Sequence, residues 1–169
     1  CKIATMTEDG LFDTPGIGLT GRPIRELPQP ERLDKHGPAT IISMVNQKGG
    51  VGKTTSSINL GACLAEQGRK VLLVDLDPQG ALSAGLGITQ DEDQVTVYDL
   101  MLDNTASIHA SIKHTNVSGL DMVPANIDLS AAEIQLVNEV GREQTLGRAL
   151  RPVRGEYDYI IIDCQPSLG

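Results

Sequence analysis

From Thr40 onward the chain alternates short aliphatic runs with stretches in which apolar residues recur at helical spacing. The runs are Ile41 to Val45, Val71 to Val74, Leu120 to Val123 and Tyr159 to Ile162. They lack the apolar–polar alternation of a half-exposed strand, so all four are predicted as strands buried on both faces. Between the first two, Ile58, Ala62 and Ala65 share one stripe of a helix predicted from about Lys53 to Gln67 and stopped by Gly68. Ser130-Ala131-Ala132-Glu133 reads as a capping box opening another helix, with Ile134, Val137 and Val140 following at helical spacing. A further helical piece is expected around Gln144 to Arg151, ending at Pro152. Residues 94 to 114 are expected to hold one or two short helices with Val97, Leu100 and Met101 facing inward. This order predicts an α/β fold, a mostly parallel twisted sheet with helices on both faces.

Residues 1–39 break the pattern. They carry five of the nine prolines and five glycines and show no sustained apolar period, which predicts a flexible Pro/Gly-rich N-terminal arm. Five Lys or Arg against six Asp or Glu mean that the arm is no polybasic tail. Loop and partner-docking segment both remain open for it. The chain opens at Cys1 and closes at Gly169 in a Pro and Gly turn, so residues 40–169 are expected to be part of a longer domain.

Composition narrows the class. With 169 residues, 40% hydrophobic and 21% charged, the chain is of the ordinary globular type and long enough for a core without disulfides or a structural metal. Aromatic residues make up 2%, so aliphatic side chains fill that core and base-stacking platforms are not expected. A net charge of −8 argues against a dedicated nucleic-acid or anionic-membrane binder on this stretch. Cys1, Cys63 and Cys164 form no CxxC, which suits a reducing cytoplasm. Neither a run of 18 apolar residues nor a secretory signal pattern is found in the sequence.

Chemistry concentrates in three places. The first is Gln47-Lys48-Gly49-Gly50-Val51-Gly52-Lys53-Thr54-Thr55, directly after a predicted strand and before a predicted helix. Glycines there let backbone N–H groups turn inward as an anion nest, and the helix N-terminus adds positive dipole. Lys53 supplies charge for the β and γ phosphates, and the Thr54 hydroxyl can ligate Mg²⁺. Residues Lys48 to Thr55 are therefore the candidate ATP-binding loop. Gln47 stands where the usual pattern begins with Gly, and Lys48 is a second lysine at the loop entrance. Lys48 is either a solvated loop residue or one that reaches a nucleotide on a facing subunit.

The second place is Asp75-Leu76-Asp77-Pro78-Gln79-Gly80, two carboxylates after a buried strand. Strand carboxyl ends form the binding edge of a parallel sheet, so both should emerge beside the phosphate loop. Pro78 biases Asp77 towards extended backbone, which makes Asp77 the candidate for orienting an attacking water and leaves Asp75 to support the loop. The third is Ile160-Ile161-Ile162-Asp163-Cys164-Gln165-Pro166, an aliphatic strand ending in a carboxylate that could help hold Mg²⁺ through a water. Residues 166–169 would begin a loop able to sense the γ-phosphate. His36, His109 and His114 lack a partner at metal-ligand spacing and read as surface or loop residues. Cys63 and Cys164 read as small packing residues.

Together with Asn126-Ile127-Asp128-Leu129-Ser130-Ala131-Ala132-Glu133, these motifs resemble the ParA/Soj branch of the deviant Walker A P-loop ATPases. The resemblance covers Thr40 to Gly169, and Leu19-Thr20-Gly21-Arg22-Pro23 in the arm is similar to actinobacterial members. It implies the N-terminal part of a P-loop ATPase domain, with ATP and Mg²⁺ as ligands. It also implies an ATP-dependent homodimer in which Lys48 crosses to the partner's nucleotide, Lys53 binds phosphates in cis and Asp77 positions the hydrolytic water. Further implied are non-specific DNA binding through the part beyond Gly169, a ParB-like stimulatory partner, and a cytoplasmic, nucleoid-associated role in chromosome or plasmid partitioning. No membrane partner is expected. A MinD-like division-site ATPase and a nucleotide-gated scaffold with negligible hydrolysis are the alternatives. Gln165 departs from the second Pro of many relatives.

Overall fold

Among the described residues five strands make one sheet in the order β1-β5-β2-β4-β3, with β1 at Thr40–Met44, β2 at Val71–Leu76, β3 at Lys113–His114, β4 at Leu120–Val123 and β5 at Tyr159–Cys164. The computed structural model describes residues 30–89, 94–103, 105–136 and 141–166. The chain divides into two compact units, Cys1–Glu31 and Arg32–Gly169, and the sheet belongs to the second. Every pairing is parallel except that of the two-residue β3 with β4.

The aliphatic runs sort themselves by strand alternation. Val71 and Leu73 of β2 and Ile161 of β5 face one core, while Leu72 and Val74 of β2 and Ile160 and Ile162 of β5 face a second. Helices α1 (Lys53–Glu66) and α2 (Ala81–Gly85) cover the first face. The second is covered by α3 (Val97–Leu102), α5 (Leu129–Leu136) and α6 (Thr145–Leu150), with the short α4 (Ile108–Ser111) beside them. Helices therefore lie on both faces, and no aromatic side chain is needed to fill β2, whose Val71 to Val74 are fully buried.

Several local expectations are corrected. Run Ile41 to Val45 is not buried on both faces: Ile41 is 41% and Val45 69% exposed, because β1 pairs with β5 alone among the described residues and only Ile42 and Met44 pack on the α1 core. The buried stripe of α1 is Ser57, Gly61 and Ala65, with Ile58 and Ala62 half-buried. Small residues on that stripe let α1 lie close to the sheet; a Cβ at Gly61 would stand 3.0 Å from methyls of both Leu73 and Leu120. Helix α5 starts at Leu129, so Ser130 sits inside its first turn and is no N-cap. Val137 and Val140 lie outside the described residues. A capping box does exist elsewhere, at Thr96 and Asp99, where the Thr96 N–H donates to Asp99 Oδ2 at 2.7 Å and opens α3. Val97 and Leu100 of α3 are buried, as expected. Helix α6 yields to a 3₁₀ turn over Arg151–Val153 that contains Pro152.

The far end of the sheet from the strand carboxyl termini is tied by Asp158. Its carboxylate accepts the Lys70 N–H at 2.8 Å and the Gly37 N–H at 3.1 Å and lies 2.7 Å from His36 Nδ1. These bonds join residues 36–39, α1's exit and β5 into one corner, with Ala39 buried.

Candidate functional site

Strands β1, β5 and β2 are neighbours, and their carboxyl ends bring the three chemical motifs to one edge. Met44 of β1 is in register with Asp163 of β5, and Asp163 in turn with Asp75 of β2. The phosphate loop leaves β1 and enters α1 at Gly52. Gly50 (φ 68°) and Gly52 (φ 87°) take left-handed backbone, and a Cβ at either would meet nothing within 4 Å among the described residues. Both are thus glycine for their dihedrals and not for space. Gly52 offers no side chain to cap α1, and its carbonyl takes the Ser56 N–H at 2.8 Å. The amides of residues 53–55 have no place in the helix ladder and are available to an anion.

Lys53 and Thr54 are half-buried, whereas Lys48, Gly49, Gly50, Val51 and Thr55 are exposed. Lys53 Nζ reaches back to the Lys48 carbonyl at 3.4 Å, across the mouth of the loop. The Lys48 N–H is held by Asn46 Oδ1 at 2.9 Å, while its side chain points to no described partner. Asn46 was not singled out in the sequence; its only signal is an Asx residue two positions before a loop residue.

Asp163 is 1% exposed. Its Oδ1 accepts the Ser57 hydroxyl at 2.9 Å, and its Oδ2 is buried with no partner among the described residues. A buried carboxylate oxygen without a donor is costly unless a cation completes it, so the residue suits Mg²⁺. Ser57 is the partner that sequence reading missed. It lies one turn beyond Lys53, and a polar residue inside the buried α1 stripe was the available signal.

Asp75 is wholly buried and Asp77 half-buried. Asp75 Oδ1 accepts the Asp77 N–H at 3.0 Å, and Asp77 Oδ1 accepts the Gln79 N–H at 3.0 Å, giving two successive Asx turns. Burial pushes the Asp75 carboxyl up to about 7, with the neighbouring Asp163 and Asp77 charges adding to it and the Asp77 amide opposing. Cys164 is half-buried beside the site, and burial raises its thiol. Cys63 is exposed on α1, contrary to its reading as a packing residue, because the buried stripe runs through Ser57, Gly61 and Ala65. Gln165 is half-buried, and residues 167–169 lie outside the described residues.

The histidines stay away from this edge, and each finds one carboxylate in space: His36 with Asp158, His109 with Glu156 at 2.9 Å, His114 with Asp121 at 2.7 Å. Asp121 also takes the Tyr157 hydroxyl at 2.8 Å. No three metal-ligating side chains gather among the described residues. Nor is any described helix long and apolar enough to cross a membrane.

A glycine-rich loop at a helix N-terminus, beside two strand-end carboxylates on a parallel sheet, defines a P-loop nucleotide-binding protein. The family model described as AAA domain matches residues 39–169, and the chain belongs to that family, in its ParA/Soj branch. The chain is 62% identical over 164 residues to the uncharacterized protein Rv1708 of Mycobacterium tuberculosis, covering 95% of this chain and 52% of that protein. It is 57% identical over 129 residues to the sporulation initiation inhibitor protein Soj of Bacillus subtilis, covering 76% and 51%. A crystal structure of cobyrinic acid a,c-diamide synthase from Mycobacterium smegmatis, with bound ATP analog and magnesium, superposes with a TM-score of 0.73 at 47% identity, covering 78% and 53%. The chain spans about half the length of the curated relatives it matches.

Proposed function

We propose that the full-length protein is a ParA-type ATPase that binds Mg-ATP at this edge, dimerises with it, binds DNA and drives chromosome or plasmid partitioning. The observation that carries the reading is the meeting of the phosphate loop, the Asp163 Oδ2 that has no partner among the described residues and the Asp77 turn on three adjacent strand ends. Relatives named for chromosome partitioning support it, among them ParA of Myxococcus xanthus at 54% identity.

In this reading the loop amides and Lys53 hold the β and γ phosphates, and Thr54 and Asp163 hold Mg²⁺, with Asp163 acting through a water. When bound, the ion neutralises phosphate charge that develops in the transition state. Asp77 keeps Oδ1 on the Gln79 amide and turns Oδ2 to the attacking water, which adds in line to the γ-phosphorus as the ADP oxygen leaves. Exposed Lys48 reaches the nucleotide of a second copy. DNA is contacted through the part beyond Gly169, and a ParB-like partner accelerates hydrolysis and release on the nucleoid.

Asp77→Ala in the full-length protein tests the central role. It is expected to dimerise with ATP and to stop hydrolysing; turnover equal to wild type would overturn the assignment. Pelleting with DNA against liposomes separates partitioning from division-site positioning. Turnover with and without residues 1–39 separates it from a scaffold role of the arm.

A further inference from the structure

Helix α6 and the 3₁₀ turn that follows it carry Arg148, Arg151 and Arg154 three residues apart, and all three are exposed. Residues three apart are neighbours on an α-helix and eclipse on a 3₁₀ helix, so the change of helix type at Arg151 keeps the three on one stripe. Arg154 caps the turn with right-handed helical dihedrals (φ −57°, ψ −27°) and continues it. The same segment is pinned to the core by Thr145, Leu150 and Val153, which are buried, and by the Arg154 carbonyl, which accepts the Ala39 N–H at 2.7 Å. The arginines therefore stand on a fixed base.

Nearby carboxylates are engaged elsewhere. Asp103, which lines a cleft together with Arg148, accepts the Thr105 N–H at 2.8 Å and the Thr105 hydroxyl at 2.7 Å. Glu156 Oε1 lies 2.9 Å from His109 Nε2, and Asp158 is taken by His36 and two amides. Arg148 reaches only the Thr145 hydroxyl oxygen, at 3.3 Å, and among the described residues none of the three arginines has a carboxylate at ion-pair distance. From Gly141 to Gly155 the chain carries four arginines against Glu143 alone, in a sequence whose net charge is −8. Like charges held on one stripe repel each other, a cost that an anionic partner removes.

We infer that Arg148, Arg151 and Arg154 contact the phosphate backbone of duplex DNA, as a second DNA surface besides the part beyond Gly169. This rests on the ParA-type reading given above. Contacts of this kind need charge and neither stacking nor base edges, which suits a chain with 2% aromatic residues. An anionic membrane fits less well, because Leu150 and Val153 are buried and Leu146 half-buried, so the stripe exposes no large apolar side chain to insert. Position also suits DNA. Ala39 immediately precedes β1, so Arg154 stands at the amino end of the sheet, and the six residues of β5 span about 17 Å from there to the strand ends that meet the phosphate loop. DNA on the stripe leaves the nucleotide edge free.

The test compares wild type with two triple variants of the full-length protein, Arg148, Arg151 and Arg154 changed together to Ala or together to Lys. Binding of a fluorescent DNA duplex is measured by anisotropy across a salt series with Mg²⁺ and a non-hydrolysable ATP analogue. Thermal unfolding and turnover without DNA are the controls, and turnover is expected to stay within about twofold of wild type. The Ala variant is expected to bind DNA roughly 10- to 100-fold more weakly, and the slope of log affinity against log salt should shrink by about 1 to 3. The Lys variant keeps the charge and should keep the slope. Equal affinity and slope in wild type and the Ala variant would overturn the stripe while leaving the ParA-type reading intact. A Lys variant as weak as Ala would also overturn it, since packing and not charge would then be at work. So would an Ala variant that loses binding to phosphatidylserine vesicles but not to DNA. If wild type itself binds no DNA, the ParA-type reading fails and the stripe fails with it.

Discussion

The Ser57 hydroxyl donates to Asp163 Oδ1 at 2.9 Å and so ties the second turn of the phosphate-loop helix to the end of β5. The same hydroxyl lies 3.1 Å from the Lys53 carbonyl, one turn back. Ser57 is fully buried, so the bond is shielded from water. It holds the candidate metal ligand in fixed relation to the helix that bears Lys53 and Thr54.

Ser57→Ala leaves both oxygens of a buried carboxylate without a donor among the described residues. A loss of about 1–3 kcal/mol in unfolding free energy is expected, read from the urea midpoint. The Mg²⁺ concentration for half-maximal ATP binding should rise as well. An unchanged Mg²⁺ requirement would remove Ser57 from any part in orienting Asp163.

Lys53 and Lys48 should fail differently. Lys53 is half-buried at the loop mouth and Lys48 is exposed at its entrance. Lys53→Ala is expected to abolish binding of a fluorescent ATP analogue. Lys48→Ala should bind it within about threefold of wild type, as suits an exposed side chain, yet fail to dimerise with ATP in size-exclusion chromatography. Dimerisation of Lys48→Ala at wild-type ATP concentrations would leave it a solvated loop residue.

Stability should fall as pH rises from about 4 to 7 through Asp75. Its folded pKa, about 7, lies above the ordinary 3.8, so in this window the folded state keeps a proton that the unfolded chain has released. One such proton gives a slope of about −1.4 kcal/mol per pH unit, which flattens above 7. Asp158, held below its usual range by the Lys70 and Gly37 amides and by His36 despite partial burial, acts only in more acid solution. Urea unfolding at several pH values should show the slope in wild type and lose it in Asp75→Asn. The same slope in both would assign it elsewhere.

Gly37 cannot accept a side chain. Its φ is +78°, and a Cβ there would stand 2.5 Å from the Gly155 carbonyl oxygen, a backbone atom that cannot swing aside. Gly37→Ala should cost on the order of 2–3 kcal/mol by combining overpacking with a left-handed alanine. Gly155→Ala, where a Cβ meets nothing within 4 Å, is the matched control in a thermal melt.

Much of the site is local and therefore legible along the chain. The loop from Lys48 to Thr55 joins a strand to a helix within a few residues, and its glycines answer to their own dihedrals. Asp77 and Asp163 announce themselves as carboxylates at the ends of aliphatic runs. Ser57 and its bond to Asp163 were not legible, because a buried serine looks like any other until its partner is known. The exposure of β1 is not legible for a similar reason: Ile41 to Val45 reads as a core strand, but among the described residues it has a neighbour on one edge alone.

The sequence by itself determined the four aliphatic strands, the helix after the phosphate loop, that loop and the identity of the strand-end carboxylates, since periodicity, glycine dihedrals and proline bias act over a few residues. Only the tertiary structure decided that β5 slips between β1 and β2. That insertion sets Asp163 level with Asp75 across one hydrogen-bonded pair and, through α1, 106 residues from the serine that holds it. Strand order follows from how two aliphatic faces are each covered by helices, a property of packing between distant segments that no single stretch of chain encodes.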